Sequence, residues 1–377
     1  GHKIDGDDAT WGGYAHGIYL EGKSNNTIKN CVLTNFGKGI YLRSSSGNKM
    51  SNNTANLNFK FGIGLDSSPG NSIINNTANL NNGVGISFGS SSGNSIINNT
   101  ANLNNRSGIY LYDSSNNTVI NNTAQENEDT DILFDAWTSE WCNNVIENNT
   151  GSGNRAIKYF NQSVTLQNEI LSELILCDAD NSSINNITIT GSETKNNNGL
   201  FVFHTDNSNF TNINSFGGIK YVRSESTTVA GLDVGSANIS FQGKDVTVQN
   251  ATMPGNEPPS LPSFKSIDKY VTITNTSANS WIFINISYSD SDIVGINEST
   301  LKIVRYNGTE WFINQTAYTY TFGINTAENY VYANITNFST FVVFGKSSSY
   351  NIEGNGVCNC RAYSRHNKSI GNLHKQS

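Results

Sequence analysis

Charge is what this chain has least of. Asp, Glu, Lys and Arg make up 14% of its 377 residues, against roughly a quarter in an ordinary globular domain, and Asn, Ser, Thr and Gly take their place. Strong helix formers are correspondingly scarce, which argues against a helical architecture. The 23 basic and 30 acidic residues leave a net charge of −7 with no basic block, so the composition points away from nucleic acid as a partner. No apolar run reaches the length of a membrane span, and the N-terminus lacks a charged head followed by an apolar stretch. With two Met and the scattered histidines His2, His16, His204, His366 and His374, no soft-metal cluster emerges from the order of residues.

What is present is a repeat. Gly62-Ile63-Gly64-Leu65, Gly85-Ile86-Ser87-Phe88 and Gly108-Ile109-Tyr110-Leu111 stand 23 residues apart. Asn48, Asn71, Asn94 and Asn117 keep the same step, as do Asn53, Asn76, Asn99 and Asn122. The pattern extends upstream through Gly17-Ile18-Tyr19-Leu20 and Gly39-Ile40-Tyr41-Leu42, and downstream to Asp131-Ile132-Leu133-Phe134. Within residues 85 to 107 the pattern predicts strands at Ile86 to Phe88, Ser95 to Ile97 and Ala101 to Leu103, joined by turns. Strands this short bury nothing alone. Stacked in parallel on their own copies, about 4.8 Å apart, they line a continuous core with Ile and Leu. The Asn columns fit corners, where Asn tolerates left-handed backbone angles and joins an amide ladder.

Past residue 135 the spacing loosens. Leu174 to Leu176, Leu200 to Phe203, Ile219 to Val222 and Ile239 to Phe241 mark later coils, for about ten in all. The predicted fold is thus all-β: a right-handed parallel β-helix over residues 1–253, followed by a small antiparallel β-sandwich. Four of five prolines fall at 254, 258, 259 and 262, a linker over 254–262. From 263 to 346 alternating strands with an Asn307-Gly308 turn suit the sandwich, and a polar tail spans 347–377.

Of five cysteines, Cys31, Cys142 and Cys177 read either as small core residues or as a pairing among themselves. Cys358 and Cys360, in the polar tail, are candidates for an inter-subunit disulfide, with a free or zinc-bound pair as the alternative. Asn-x-Ser/Thr acceptors recur at Asn105, Asn161, Asn186, Asn209, Asn238, Asn285, Asn307, Asn334 and Asn337, so N-linked glycans and an extracellular, cell-surface location are expected.

Gly-Ile-Tyr-Leu, Ser-Asn-Asn-Thr-Ile-Lys-Asn-Cys (24 to 31) and Gly-Asn-Ser-Ile-Ile-Asn-Asn-Thr make residues 1 to about 160 resemble NosD-type right-handed parallel β-helix repeats, more weakly to 253. Residues 264 to 345 resemble the short β-sandwich module of archaeal surface proteins, through Val304-Arg305-Tyr306-Asn307-Gly308-Thr309-Glu310-Trp311 and its neighbours. The pair of resemblances implies a secreted archaeal envelope protein. In such families the segment that opens this chain lies further inside, so the first coil is expected to be uncapped, with a parallel edge that another subunit could extend.

Chemistry on such a rod needs carboxylates or a Lys/Arg base clustered on one face. The acidic groups are Asp5, Asp7 and Asp8, then Glu126, Glu128, Asp129 and Asp131, then Asp135 with Glu140; each sits in a turn, where backbone hydrogen bonding accounts for it. Asp66 and Asp113 occupy nearly equivalent positions two coils apart, which reads as a solvated corner. Asp290, Asp292 and Glu298 could hold calcium, although no EF-hand-like loop is present. No other cofactor is expected. The sequence therefore favours a self-assembling structural subunit of a surface layer, sheath or filament that is not an enzyme, with a secreted carbohydrate-active enzyme or glycan-binding adhesin as the alternative.

Overall fold

The structure is a computed structural model describing residues 2–5, 15–195, 197–251, 261–317 and 319–348, with the backbone alone for 2–5. Asp7, Asp8, His366, His374, most of the Pro-rich stretch, and the tail with Cys358 and Cys360 lie outside the described residues. Apart from Ser348, the described residues belong to one compact unit, Gly1–Ser347.

Through residue 150 the chain winds as a parallel stack. One six-stranded sheet joins His16–Glu21, Lys38–Arg43, Phe61–Asp66, Val84–Gly89, Ile109–Tyr112 and Ile132–Asp135. A second joins Thr27–Lys29, Lys49–Ser51, Ser72–Ile74, Ser95–Ile97, Thr118–Ile120 and Val145–Glu147. Inward residues stack on their copies: Ile40, Ile63, Ile86 and Ile109 on one sheet, Met50, Ile73, Ile96 and Val119 on the other, all fully buried. Gly17, Gly39, Gly62, Gly85 and Gly108 each stand immediately before the first inward Ile of a first-sheet strand, because nothing larger fits. A Cβ on Gly85 would lie 2.7 Å from the Gly108 carbonyl and 2.8 Å from that of Ala78.

The expected third strand at Ala101 to Leu103 does not form. That side carries a short parallel sheet of His2–Asp5, Cys31–Thr34 and Thr54–Ala55 in the first coils and is reduced beyond them to single bridges running Thr54, Thr77, Thr100, Thr123 and Thr150. The cause is local: Leu57, Leu80 and Leu103 adopt φ of 58°, 57° and 56°, so the backbone turns where a strand would continue.

The corners carry the expected ladders, with the work divided between adjacent residues. Asn52, Asn75, Asn98 and Asn121 take the left-handed angles, while their successors Asn53, Asn76, Asn99 and Asn122 stack, each about 1% exposed. Asn99 donates its amide to Asn122 Oδ1 at 3.0 Å, to the Ile73 carbonyl at 2.8 Å and to that of Ile97 at 3.2 Å. Its own Oδ1 accepts from the Asn76 backbone and side-chain nitrogens. A second ladder runs from Asn26 through Asn48, Asn71, Asn94 and Asn117 to Asn144. A third, which the sequence reading missed, joins Asn58, Asn81, Asn104 and Asn127 and ends on the Asp131 carboxylate. Ser45, Ser68, Ser91 and Ser114 add a hydroxyl ladder.

After Thr150 the chain reverses. Asn149–Thr150 pairs antiparallel with Ala156–Phe160, and a two-sheeted stack begins. Its first sheet runs Ala156–Phe160, Glu173–Cys177, Leu200–Phe203, Ile219–Val222 in parallel; its second runs Thr165–Leu171, Ser183–Ile189, Asn209–Ser215, Thr228–Asp233. Glu173–Cys177 is buried on both faces: Leu174 and Leu176 face the new core, Ile175 and Cys177 the old one. Phe134 meets Phe203 and Tyr159 edge-on at 5.9 and 5.5 Å. The second stack thereby covers the last rung of the first.

This joint consumes the acidic cluster that the sequence left as a candidate site. Asp131, fully buried, accepts from Asn127, Asn198, Ser172 and the Ser152 backbone. Glu128 pairs with Lys195 at 3.1 Å, and Glu126 accepts from Ser192. Glu173, also fully buried, accepts from the Ile132 N–H at 3.0 Å, capping an edge amide of the terminal rung. Burial, with Asp131 adding to it, holds the Glu173 carboxyl well above its ordinary range, opposed by that hydrogen bond. Cys142–Cys177 forms a disulfide across the same joint, and Cys31 is free.

The parallel order ends where the connection becomes too short for a crossover. Instead of adding the coil expected at Ile239 to Phe241, Asn238–Lys244 folds back antiparallel on Thr228–Asp233 through a turn at Gly235, φ 90°. From there both sheets continue antiparallel, one through Val246–Asn250, Lys265–Asn275, Ser339–Gly345 and Lys302–Tyr306, the other through Trp281–Ser287, Tyr330–Ile335 and Thr319–Asn325. One apolar core runs from Leu166 to Val343 on both sides of the Pro-rich stretch.

Asn99→Ala leaves the buried Asn76 backbone N–H without its acceptor and removes the amide that donates to the Ile73 carbonyl, so urea unfolding is expected to show a loss of about 3 kcal/mol, against under about 1 kcal/mol for Asn26→Ala at the exposed end. Because the Glu173 carboxyl is raised, its contribution is present at acid pH and lost as pH rises through its folded value. Glu173→Gln should therefore raise the melting temperature at pH 7, with the gain shrinking toward pH 4.

Candidate functional site

Side chains alternate along each strand, so what Ile and Leu bury inside, their neighbours display outside. On the first sheet this makes two outward columns, and a third forms just before Gly17, Gly39, Gly62 and Gly85, which face the core together with the Ile that follows and so break the alternation. Register aligns Tyr19, Tyr41, Gly64, Ser87 and Tyr110. It also aligns Glu21, Arg43, Asp66, Gly89, Tyr112 and Asp135, and His16, Lys38, Phe61 and Val84.

At one end the columns converge. The Tyr19 and Tyr41 rings stack 5.7 Å apart, 8° from parallel, with His16 4.9 and 5.2 Å from them. Lys38 Nζ lies 3.2 Å from the Tyr41 ring centroid. Tyr41 Oη donates to Asp66 Oδ2 at 3.2 Å, and Arg43 Nε lies 3.9 Å from the same oxygen. Arg43 also reaches Glu21 at 3.9 Å. Further along, Gly64, Ser87 and Gly89 interrupt the columns with minimal side chains before Tyr110 and Tyr112, whose rings lie 6.1 Å apart. Gly64 and Ser87 are nonetheless buried, and the Phe61 and Tyr41 rings lie over Gly64, their Cδ2 atoms 3.0 and 3.2 Å from where a Cβ would stand.

The electrostatics reflect crowding. Burial pushes Lys38 down to about 8, with Lys60 and Arg43 adding to the shift and Asp66 opposing it. His16 is lowered by burial and then by Lys38 and Lys60. Tyr41 rises to about 12 through burial and the Asp66 charge, and Tyr110 to about 12 through burial and Asp135. Burial also raises Asp113, Asp135 adding and the Tyr112 hydroxyl opposing. An amine with a depressed pKa between two other cations, beside an acid and stacked rings, can bind an anion and accept a proton.

Asp66 and Asp113, expected at nearly equivalent positions, are one residue out of register. Asp66 shares its column with Tyr112, whereas Asp113 comes one residue after Tyr112 at φ 50°, the angle that Ser67 and Ser90 take at 49° and 48°. The one-residue offset puts the two acids at different places on the corner. Asp135 ends the Asp66 column, and Glu140 lies in the 3-10 turn Ser139–Cys142. In the calcium candidates, Asp292 pairs with Lys269 at 3.4 Å and Glu298 accepts from Tyr288 at 2.8 Å; among the described residues no group of three metal-ligating side chains forms. Of the glycosylation candidates, Asn105, Asn161, Asn186, Asn209, Asn238 and Asn307 are exposed, whereas Asn285 and Asn334 are half-buried with unpartnered Oδ1 atoms. Lys38, Tyr41 and Arg43 went unnoticed in the sequence, although the Gly-Ile-Tyr-Leu repeat puts its Tyr outward and its flanking residues alongside.

Residues 9–150 and 81–174 match the family model described as the right handed beta helix region. No curated protein matches the sequence. Solved structures similar to the chain include the periplasmic alginate epimerase AlgG, at 17% identity over 55% of this chain and 48% of that one, with a TM-score of 0.30. The Dettilon tailspike protein gp208 matches at 12% identity over 85% of this chain and 63% of its own, TM-score 0.27. Tailspike protein gp49 from Acinetobacter baumannii bacteriophage Fri1, a capsular polysaccharide depolymerase, matches at 12% over 88% and 71%, TM-score 0.28. The chain thus spans about half the epimerase and under two thirds of the Dettilon protein. The likeness is one of fold and transfers no residue role. It does correct one expectation: an epimerase and a depolymerase stand among these structures, so the stack gives no ground for reading the chain as a non-enzyme. Among the described residues, no helix is long and apolar enough to cross a membrane.

Proposed function

We propose that this is a secreted carbohydrate-active enzyme that takes an acidic polysaccharide along the outer face of the first sheet. The observation that carries the reading is Lys38 over the Tyr41 ring, with Arg43 and Asp66 in register beside it. Stacked tyrosines offer flat apolar surface to sugar rings. Arg43, with the Lys60 charge close by, would neutralise a uronate carboxylate, and Lys38, held at about 8, would be available in neutral form to remove the proton on the adjacent carbon. That C–H bond breaks with its proton moving to Lys38 and its electron pair into the carboxylate-stabilised enolate; from there the glycosidic oxygen leaves or a proton returns. The Cys142–Cys177 disulfide supports an oxidising, extracellular setting.

A different observation favours self-association as a second property. Leu57, Leu80 and Leu103 form a column 53%, 49% and 47% exposed, in backbone angles that disfavour leucine by about 1 kcal/mol or more each. A second copy is the occupant this column suits.

Two measurements test these readings. Incubated with polyuronates, the protein should generate double bonds detectable by ultraviolet absorbance, or exchange the proton beside the carboxylate in D2O, with a rate that rises with pH and levels above about 8. Lys38→Ala should lower that rate at least about 100-fold without changing circular dichroism; unaltered turnover in this variant sinks the assignment. Leu80→Asn should gain about 1 kcal/mol of stability and reduce the sedimenting mass, and an unchanged mass removes the self-association.

A further inference from the structure

The second sheet of the two-sheeted stack has an outward face of its own. Along Asn238–Lys244 the inward residues are Ile239, Phe241 and Gly243, leaving Gln242 and Lys244 outside; along Trp281–Ser287 the outward series begins with Trp281. Register sets Lys244 opposite Trp281 and Gln242 opposite Thr228. Here the parallel coils give way to antiparallel strands, and Glu225, just before Thr228–Asp233, turns back over the strand ends to pair with Lys244. The result is a hollow of about 510 Å³ floored by Gln242, Gly243 and Lys244 and walled by Trp281 on one side and Glu225 to Thr227 on the other. That volume falls within the range of small-ligand sites, about 300–1,000 Å³.

Its chemistry differs from that of the first face. Trp281 is 39% exposed, a large indole left open at the start of a strand. Lys244 and Glu225 neutralise each other, and the Glu225 hydrogen bond is what raises the Lys244 pKa. With the charges cancelled, the hollow has nothing to select an anion such as a phosphate or a uronate. It retains an aromatic plane, a carboxylate acceptor, an ammonium donor, and the Gln242 amide, which lies 3.4 Å from the Thr228 hydroxyl and is weakly engaged. One apolar plane ringed by alternating donors and acceptors matches a pyranose ring, whose C–H face stacks on indole and whose vicinal hydroxyls both give and take hydrogen bonds.

We propose that the Trp281 hollow is a binding site for an uncharged oligosaccharide, separate from the first face and serving to hold glycan rather than to convert it. The site stands on its own residues and does not depend on the assignment of Lys38.

Titrating the full chain with cellohexaose, maltohexaose, mannohexaose and a hexameric polymannuronate, by tryptophan fluorescence and calorimetry, tests it. At least one uncharged hexasaccharide should bind, with an affinity that does not change between low and high salt. Trp281→Ala and Gln242→Ala should each weaken that binding, the former at least tenfold, Trp281→Phe should keep most of it, and Lys38→Ala should leave it untouched. Thermal melts establish that each variant is folded. Absence of binding by all three uncharged probes overturns the proposal, as does equal affinity in folded Trp281→Ala or binding confined to the polymannuronate. A failure of Lys38→Ala to lose turnover would affect the first face alone.

Discussion

Hydrogen bonds running along the axis of the stack, from each coil to its copy, are the interaction on which the structure depends. A strand of three residues such as Ser95–Ile97 has no independent stability. It persists because Ser72–Ile74 and Thr118–Ile120 hold it on either side, and because the buried Asn and Ser columns repeat the same link in side chains. A buried amide left without a partner is expensive, so the ladder tolerates only one register. Ile86 then falls on Ile63 and Ile109 because no other alignment satisfies Asn76, Asn99 and Asn122 together.

Strict register has a second consequence at the surface. Since outward positions contribute little to holding the coil together, they can vary within one column. The series Tyr41, Gly64, Ser87, Tyr110 changes from ring to hydrogen to hydroxymethyl and back while the inward Leu42, Leu65, Phe88, Leu111 stays apolar. That freedom lets Lys38 lie over the Tyr41 ring and brings Arg43 to Asp66 of the next coil.

Stacks of parallel strands must also end, and the last rung presents unpaired amides. Here the chain folds back and lays a second sheet across them, with Glu173 taking the Ile132 N–H and Asp131 terminating the third Asn ladder. The carboxylates best placed by sequence to look catalytic are thus tied up in closing an end. Burial, reinforced by the neighbouring Asp131 charge, holds the Glu173 carboxyl well above its ordinary range, a cost accepted at a joint also held by a disulfide.

Local and periodic information was legible in the sequence. The 23-residue step, the Gly-Ile-Tyr-Leu strand, the Ser95 to Ile97 strand and two of three Asn ladders come from residues whose neighbours in space are their own copies one period away. The antiparallel strands around Trp281 and Phe341 were visible for a similar reason, alternation being local. The tertiary structure alone decided what depends on chain reversal: the turn at Thr150, the pairing of Cys142 with Cys177, the burial of Asp131 and the return of Asn238–Lys244 along the sheet. It alone also revealed the two candidate sites, because Arg43 meets Asp66, and Glu225 meets Lys244, only once strands far apart in sequence lie side by side, and no periodicity in the chain encodes which outward residues then touch.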